Sequence, residues 1–213
     1  ITLPPETTDS PFGRFRRSIE EPSQARPRGL VAEENFCTAA NMSMPKSAFL
    51  SLGGFDPAIL SGEDQDLALR YSQLGESIAF LPEAEALHRD MVADISAYCR
   101  RQEWGAKAMA PLLRRYPLRP ENELRLRLAA PPCKATTPYE GVRILIRLGL
   151  VRDWPLGLIR GATKAIERKG ASDSVLFPLY RVLLGLHLFR GFRAGLASQR
   201  AAPPPTLPRS RGP

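Results

Sequence analysis

Residues 61–67 read Ser-Gly-Glu-Asp-Gln-Asp-Leu and place three carboxylates within four consecutive positions. Leu67, Tyr71 and Leu74 follow at helical spacing, so the stretch predicts the first turn of a helix that ends at Gly75. Carboxylates in a first helical turn lie beside unpaired N–H groups and the positive end of the helix dipole, which stabilise their charge. A carboxylate held there, next to a glycine turn, is able to accept a proton from a substrate hydroxyl. The alternative is that the three residues only cap a solvated helix.

The segments around this helix predict further strands and helices. Residues 35–41 form a short apolar run typical of a buried strand, and Pro45 suits the first turn of a short helix that a glycine turn stops. Residues 77–81 predict a second strand after the acidic helix. Asp90 is a suitable N-cap for a long helix that follows, with Trp104 among its apolar, core-facing positions.

The basic character of the chain belongs to its C-terminal third. Residues 1–140 carry 17 Lys and Arg against 19 Asp and Glu, whereas residues 141–200 carry 11 against 3. Over 141–152 and 156–169, apolar residues are broken by Arg or Lys every three or four positions, a pattern typical of basic amphipathic helices. It predicts an anionic membrane surface as the partner of residues 141–200. The alternative is that these helices pack on the rest of the protein with their arginines in water.

Cysteine usage and aromatic content bear on location and on other partners. Cys37, Cys99 and Cys133 are an odd number without close spacing, so they indicate neither a disulfide framework nor a zinc site and favour a reducing compartment. Together with the basic helices, they predict a cytoplasmic protein that is peripheral at the inner face of the plasma membrane. Nucleic-acid binding is disfavoured, because few aromatic residues are present in the basic segment to stack on bases.

The order of motifs over residues 35–116 resembles the C-terminal half of the catalytic domain of family 2 glycosyltransferases. The matching elements, in chain order, are Asn41 after a strand, the turn Gly53-Gly54-Phe55-Asp56, the pair Glu63-Asp64, a helix ending in Leu74-Gly75, a strand ending at Pro82 and a lone His88. The resemblance implies an α/β fold: the C-terminal half of a GT-A (Rossmann-like) nucleotide-diphospho-sugar transferase domain, followed by a mostly helical extension.

The resemblance also divides the chain into five segments. These are a loop or linker at 1–34 that is a candidate remnant of a donor-binding half, the partial transferase domain at 35–116, a linker with one short charge-rich helix at 117–140, basic amphipathic helices at 141–200 and a disordered tail at 201–213.

The function that the resemblance implies is inverting transfer of a sugar from a nucleotide-sugar donor to a hydroxyl of a saccharide or lipid-linked acceptor. Asp64 would be the base that deprotonates the acceptor, and Glu63 would orient it. The other implied site residues are Asn41, Gly53, Gly54 and Asp66 for acceptor binding, and His88 and Arg101 for the diphosphate. Asp66 is alternatively a solvated residue on the helix face. The family further implies a divalent metal, Mg²⁺ or Mn²⁺, with His88 as a candidate ligand.

One part of the family pattern is absent from the sequence. The donor-binding half, with its Asp-x-Asp metal motif, should precede Phe36, and residues 1–35 contain no such motif. The main metal ligands are therefore missing from this chain, and we expect an incomplete glycosyltransferase that is inactive by itself. The alternative is a non-catalytic binding or interaction module, derived from a glycosyltransferase and associated with a membrane or a partner chain.

Overall fold

The computed structural model describes residues 2–24, 28–31, 37–90, 92 and 94–200. Of these described residues, 68% are in helices, including 3-10 helices, and 4% are in strands. The helices are α1 (Pro11–Gln24), α2 (Lys46–Ser51), α3 (Glu63–Gln73), α4 (Ile95–Ala108), α5 (Ala110–Arg115), α6 (Pro120–Ala129), α7 (Pro138–Leu150), α8 (Asp153–Arg168) and α9 (Asp173–Arg200), and the strands are β1 (Gly29–Val31) and β2 (Ile78–Phe80).

The predicted α/β fold is wrong, because the described residues form one small sheet and are otherwise mostly helical. Strands β1 and β2 pair antiparallel, with Gly29 opposite Phe80 and Val31 opposite Ile78. A Rossmann-like domain such as GT-A instead requires an open, mostly parallel sheet with helices on both faces. A two-stranded antiparallel sheet cannot be its framework.

The predicted strand at 35–41 is the main source of this error. Residues 35 and 36 lie outside the described residues, and Ala39–Asn41 forms a 3-10 turn in which the Asn41 N–H donates to the Thr38 carbonyl at 3.0 Å. Local hydrogen bonding of this kind competes with a sheet ladder. The strand predicted at 77–81 is confirmed over Ile78–Phe80.

The helices predicted around the acidic stretch are confirmed. Pro45 is the N-cap of α2, and α3 begins at Glu63 and is followed by Gly75, whose φ of +83° ends it. The short charge-rich helix of the 117–140 linker is α6. The tail predicted at 201–213 lies outside the described residues.

The helix predicted from Asp90 begins later and is interrupted. Asp94 is the actual N-cap, since its carboxylate accepts from the Ala97 N–H at 2.8 Å. The helix divides into α4 and α5 just before Pro111, which has no N–H to continue the helical hydrogen bonds. Trp104, predicted in the core, is 59% exposed.

One hydrophobic core joins helices from both ends of the chain, namely α1, α4, α8 and α9. The loop predicted for 1–34 is therefore wrong across α1, whose Phe12 and Phe15 are buried one turn apart. The Phe15 ring lies 5.2 Å from that of Tyr180 in α9, and the Phe12 ring lies 5.6 Å from that of Tyr98 in α4. We call these four helices the four-helix core.

Two glycines of α9 allow it to lie directly against α4. A Cβ added at Gly191 would lie 2.3 Å from the Glu103 carbonyl oxygen, and one at Gly195 would lie 2.3 Å from that of Lys107. Helix backbones approach this closely only where small residues face each other. By length and composition alone, with a mean hydropathy of 1.3, Asp173–Gln199 is able to cross a membrane. Its apolar surface is divided: 39% of the most apolar window is buried, with Leu176, Tyr180 and Leu183 in the four-helix core, whereas Val175 and Val182 are about half exposed.

Candidate functional site

The acidic helix α3 starts at a glycine that no other residue replaces without strain. Gly62, its N-cap, has a φ of +79°, and a Cβ there would lie 2.6 Å from Cδ2 of Leu112 in α5. Glu63, Asp64 and Asp66 occupy the first turn as predicted. Gly62 therefore determines both the direction of α3 and its distance from α5.

Asp64 is half-buried and holds the neighbouring 3-10 turn. Its Oδ2 accepts from the Ala39 N–H at 3.1 Å, and its Oδ1 accepts from the Gln65 N–H at 2.8 Å. Leu67 and Ala68, three and four positions later, share its side of the helix. The carboxylate is thereby fixed between the first turn of α3 and residues 39–41.

A cavity of about 780 Å³ lies between α3, β2 and residues 37–45, and Asp64 is not among the residues that line it. Leu67 and Ala68 line it, so it begins one helical turn from Asp64. Polar and aromatic side chains share the lining, including Thr38, Asn41, Tyr71, Ser77 and Phe80. Sites for small ligands commonly have this volume and this mixture of apolar walls with a few polar groups.

Among the predicted site residues, Asn41 is the one found in the lining of this cavity. It is exposed, lines the cavity, and donates from Nδ2 to the Ala84 carbonyl at 2.6 Å. Asn41 ends the 3-10 turn whose first N–H binds Asp64. The structure therefore brings Asp64 and Asn41 together through one turn of chain, with Glu63 half-buried next to Asp64.

Asp66 has a structural position, unlike either of the predicted environments. It is fully buried, and its two oxygens accept from Arg70 at 2.8 Å, Arg115 at 2.9 Å and the Tyr116 hydroxyl at 2.9 Å. Burial, with the hydrogen bond to Asp66, raises the pKa of Tyr116 to about 12. Asp66 thus neither faces an acceptor nor lies on a solvated helix face; it attaches α3 to the chain at α5.

The glycine turn is attached to the far part of α3. Gly53 and Gly54 have φ values of +77° and +72°, and Gly54 is buried against the ring of Phe49. Arg70 donates to the Gly54 carbonyl at 2.8 Å. Because Arg70 follows Asp64 by six residues, the turn meets α3 about 9 Å along the helix axis from the proposed base. The structure does not bring the two glycines to Asp64.

His88 and Arg101 lie around Asp90 rather than in the cavity lining with Asn41. The backbone N–H of His88 donates to the Thr2 carbonyl at 2.9 Å, and the Arg101 side chain binds the Asp90 carboxylate directly. Arg16 binds the same carboxylate at 3.3 Å. Burial acts to raise the pKa of Asp90, but the hydrogen bond and charge of Arg101 outweigh it and lower that pKa. The charge of Arg101 is therefore compensated within the chain.

The described residues give no ligand set for the divalent metal that the resemblance implies. No group of three or more His, Cys, Asp or Glu side chains within them is arranged to hold a metal ion. Asp90 interacts electrostatically with His88, but its carboxylate is already bound by Arg16 and Arg101.

The contacts of Asp66 differ in how far the sequence indicates them. Its pair with Arg70 has the i, i+4 spacing of helical ion pairs and could have been predicted. Arg115 and Tyr116 follow Asp66 by 49 and 50 residues, so nothing near Asp66 indicates them. Tyr71 has the spacing of an ordinary core residue, yet it lines the cavity.

Comparison with known proteins adds no family to this description. No protein-family model matches the sequence, and neither a curated protein nor a solved structure matches the chain. The function is therefore inferred from the site itself and from the order of its motifs.

Proposed function

We propose that this chain provides the acceptor side of a sugar-transfer site, with Asp64 as the base. The observation that carries the proposal is the position of the Asp64 carboxylate at the start of α3, one helical turn before Leu67 and Ala68, which line a cavity of about 780 Å³. The order of motifs shared with family 2 glycosyltransferases supports the reaction class. A nucleotide sugar is the donor, and a saccharide or a lipid-linked sugar is the acceptor.

The proposed step is an inverting displacement. An oxygen of the acceptor hydroxyl forms a bond to the anomeric carbon of the donor sugar while the bond from that carbon to the nucleoside diphosphate breaks. The hydroxyl proton passes to Asp64, and the bonding electrons leave with the diphosphate. The other reacting half, which binds the donor, is expected from a partner segment, because the sequence motifs here belong to the acceptor side.

Asp64 suits the role better than the other two carboxylates of the acidic stretch. Both carboxylate oxygens of Asp66 already accept hydrogen bonds, from two arginines and a tyrosine hydroxyl. Asp64 accepts two backbone hydrogen bonds, and an ionised carboxylate has about four lone-pair positions, so it retains capacity for an acceptor hydroxyl. The same backbone bonds hold its orientation without a charged partner.

The cavity lining matches the two kinds of surface on a sugar ring. Tyr71 and Phe80 provide aromatic surface for the C–H faces, and Thr38, Asn41 and Ser77 provide groups that bind hydroxyls. Such a lining favours a saccharide over a purely apolar ligand.

Saccharide binding by the full chain tests the proposal. A panel of mono- and disaccharides is screened by saturation-transfer NMR against the native protein and the variants Tyr71→Ala, Asp64→Asn and Glu123→Gln. We expect at least one saccharide to bind, and binding to weaken in Tyr71→Ala and Asp64→Asn. The control Glu123→Gln removes an exposed carboxylate of α6 that does not line the cavity, and we expect it to leave binding unchanged. The proposal is overturned if no saccharide binds, or if binding is equal in all four proteins.

A further inference from the structure

Helix α7 presents an apolar face that the rest of the described protein leaves uncovered. Tyr139, Val142, Leu145 and Ile146 are each more than half exposed. At 100° per residue, they occupy one arc of about 120° of the helix circumference. Ile144 lies outside this arc and is buried. The helix therefore has two apolar sides. One side, with Ile144, packs against the protein, and the other side is exposed.

Helix α8 follows after two residues and has the same character. Trp154 and Leu158, one turn apart, are 71% and 65% exposed, whereas Leu156 and Thr163 are buried. The exposed side continues through three small residues, Gly161, Ala162 and Ala165. Isolated exposed apolar residues are ordinary, whereas groups of them mark interaction sites. The six on these two consecutive helices are called the patch below.

The charges around this patch are predominantly basic. The exposed cations of α7, α8 and the turn after it are Arg143, Arg152, Arg160, Arg168 and Lys169, of which Arg160 lies at least 120° from Trp154 and Leu158 around α8. The three acidic residues of these helices have partners within the protein: Glu140 binds Arg127, Asp153 binds Arg190, and Glu167 interacts with Tyr180 of α9. A partner that covers this patch is therefore expected to offer an apolar surface to the exposed apolar side chains and negative charges to the cations around them.

The residue types at the patch favour a lipid surface in particular. Tyr and Trp place an apolar ring in the acyl region and a polar atom among the headgroups, which is why they gather at membrane interfaces. The Arg143 guanidinium lies 5.5 Å from the centre of the Tyr139 ring, so the aromatic anchor and the cation occupy one site. Helices that lie in the interface combine such an apolar face with flanking cations.

We propose that the exposed faces of α7 and α8 dock this protein on an anionic phospholipid membrane. Trp154, Leu158, Leu145 and Ile146 enter the interface, and the surrounding arginines and Lys169 contact lipid phosphates. The proposed contact is peripheral and uses the exposed sides of α7 and α8. The sequence predicted that residues 141–200 contact a membrane surface, and this proposal assigns that contact to α7 and α8. The proposal does not depend on the proposed sugar transfer.

Vesicle binding tests this docking with a matched tryptophan control. The chain has two tryptophans, Trp104 on α4 and Trp154 on α8, and both are exposed. The full chain is sedimented with vesicles of phosphatidylcholine alone and of phosphatidylcholine with phosphatidylglycerol. We expect binding to the anionic vesicles, about tenfold or more weaker in the double variant Trp154→Ser/Leu158→Ser and unchanged in Trp104→Ser. Circular dichroism checks that each variant is folded.

The charge contribution is measured separately. The double variant Arg152→Gln/Arg168→Gln is expected to lose affinity for anionic vesicles by about tenfold or more, and added salt is expected to weaken native binding. Equal binding to both vesicle types, no binding, or equal loss in Trp104→Ser and Trp154→Ser/Leu158→Ser overturns the proposal. Self-association of the chain that Trp154→Ser/Leu158→Ser abolishes, without vesicle binding, also overturns it and identifies a second copy as the occupant.

Discussion

The acidic-helix region, residues 37–90, and the four-helix core are stabilised in opposite ways. At the centre of the four-helix core are apolar and aromatic side chains such as Phe15 and Tyr180. At the centre of the acidic-helix region is a fully buried carboxylate, Asp66, bound by two arginines and a tyrosine. Apolar packing is tolerant of small shifts, whereas a buried charge is stable only while its partners remain in place.

The two regions also differ in how closely their helices pack. Helix α9 lies against α4 at backbone contact, through Gly191 and Gly195. Helix α3 has no extensive contact with another described element, and side chains of residues 115 and 116 attach it. The cavity of about 780 Å³ lies next to α3, in this less closely packed region. The proposed site therefore belongs to the region with the looser helix packing.

Removing the buried charge is expected to have the largest effect. Asp66→Ala leaves Arg70 and Arg115 without their shared carboxylate and should lower the free energy of unfolding by about 3 kcal/mol in urea titrations. The control is Asp56→Ala, which removes a more exposed partner of Arg115 and should cost about 1 kcal/mol. Similar losses in both variants would mean that Asp66 is not the centre of this region.

Closing the gap between α4 and α9 is expected to have the next largest effect. Gly191→Ala places a methyl group against the Glu103 carbonyl and the Ala106 Cβ, so α9 must move and the unfolding free energy should fall by about 2 kcal/mol. Gly185→Ala lies in the same helix with nothing within 4 Å, and it should stabilise the protein slightly. If both variants are equally stable by thermal unfolding, the close approach of these helices is wrong.

The smallest expected effect is a pH dependence that belongs to the core. Burial lowers the pKa of His187 below 6.5, against the hydrogen bond and charge of Glu103, and the charges of Arg190 and Arg160 lower it further. The folded state then binds fewer protons than the unfolded state, so stability should fall as the pH drops below about 6.5. The free energy of unfolding is compared between about pH 7.5 and 5.5 in the native protein and His187→Asn.

The slope is expected to be smaller in His187→Asn, whose amide still reaches Glu103 but does not titrate in this range. Glu103 does not account for the slope, because its own pKa is lowered, by Arg190 and His187 against burial, and it titrates at a more acid pH. An unchanged slope in the variant would assign the effect to another group.

The helices of the acidic-helix region were predictable because their signals are local. Apolar residues at helical spacing and glycines at the ends define α2 and α3 without reference to the rest of the chain. Of the sheet, β2 was predictable in the same way, whereas its partner β1 was not. The residues at 39–41 prefer a 3-10 turn that Asp64 holds, and β1 lies in a segment whose prolines indicate a loop.

The candidate site was predictable in part. Asp64, Glu63 and Asn41 lie together as their positions around the motifs suggested, whereas Gly53, Gly54, His88 and Arg101 lie with other partners. The roles of Asp66 and Asp90 depend on arginines that are distant in sequence, such as Arg115 and Arg16. Composition and spacing do not reveal contacts of this range.

The union of the first and last helices in one core has a consequence for synthesis of the protein. Arg14 forms a two-point ion pair with Asp173, at 2.7 and 2.8 Å, across 159 residues of sequence. At about 5–20 residues per second, α1 leaves the ribosome roughly 10–30 s before α9 is available to cover Phe12 and Phe15. During that interval these two rings are open to chaperones, and the four-helix core is completed only after α9 has been made.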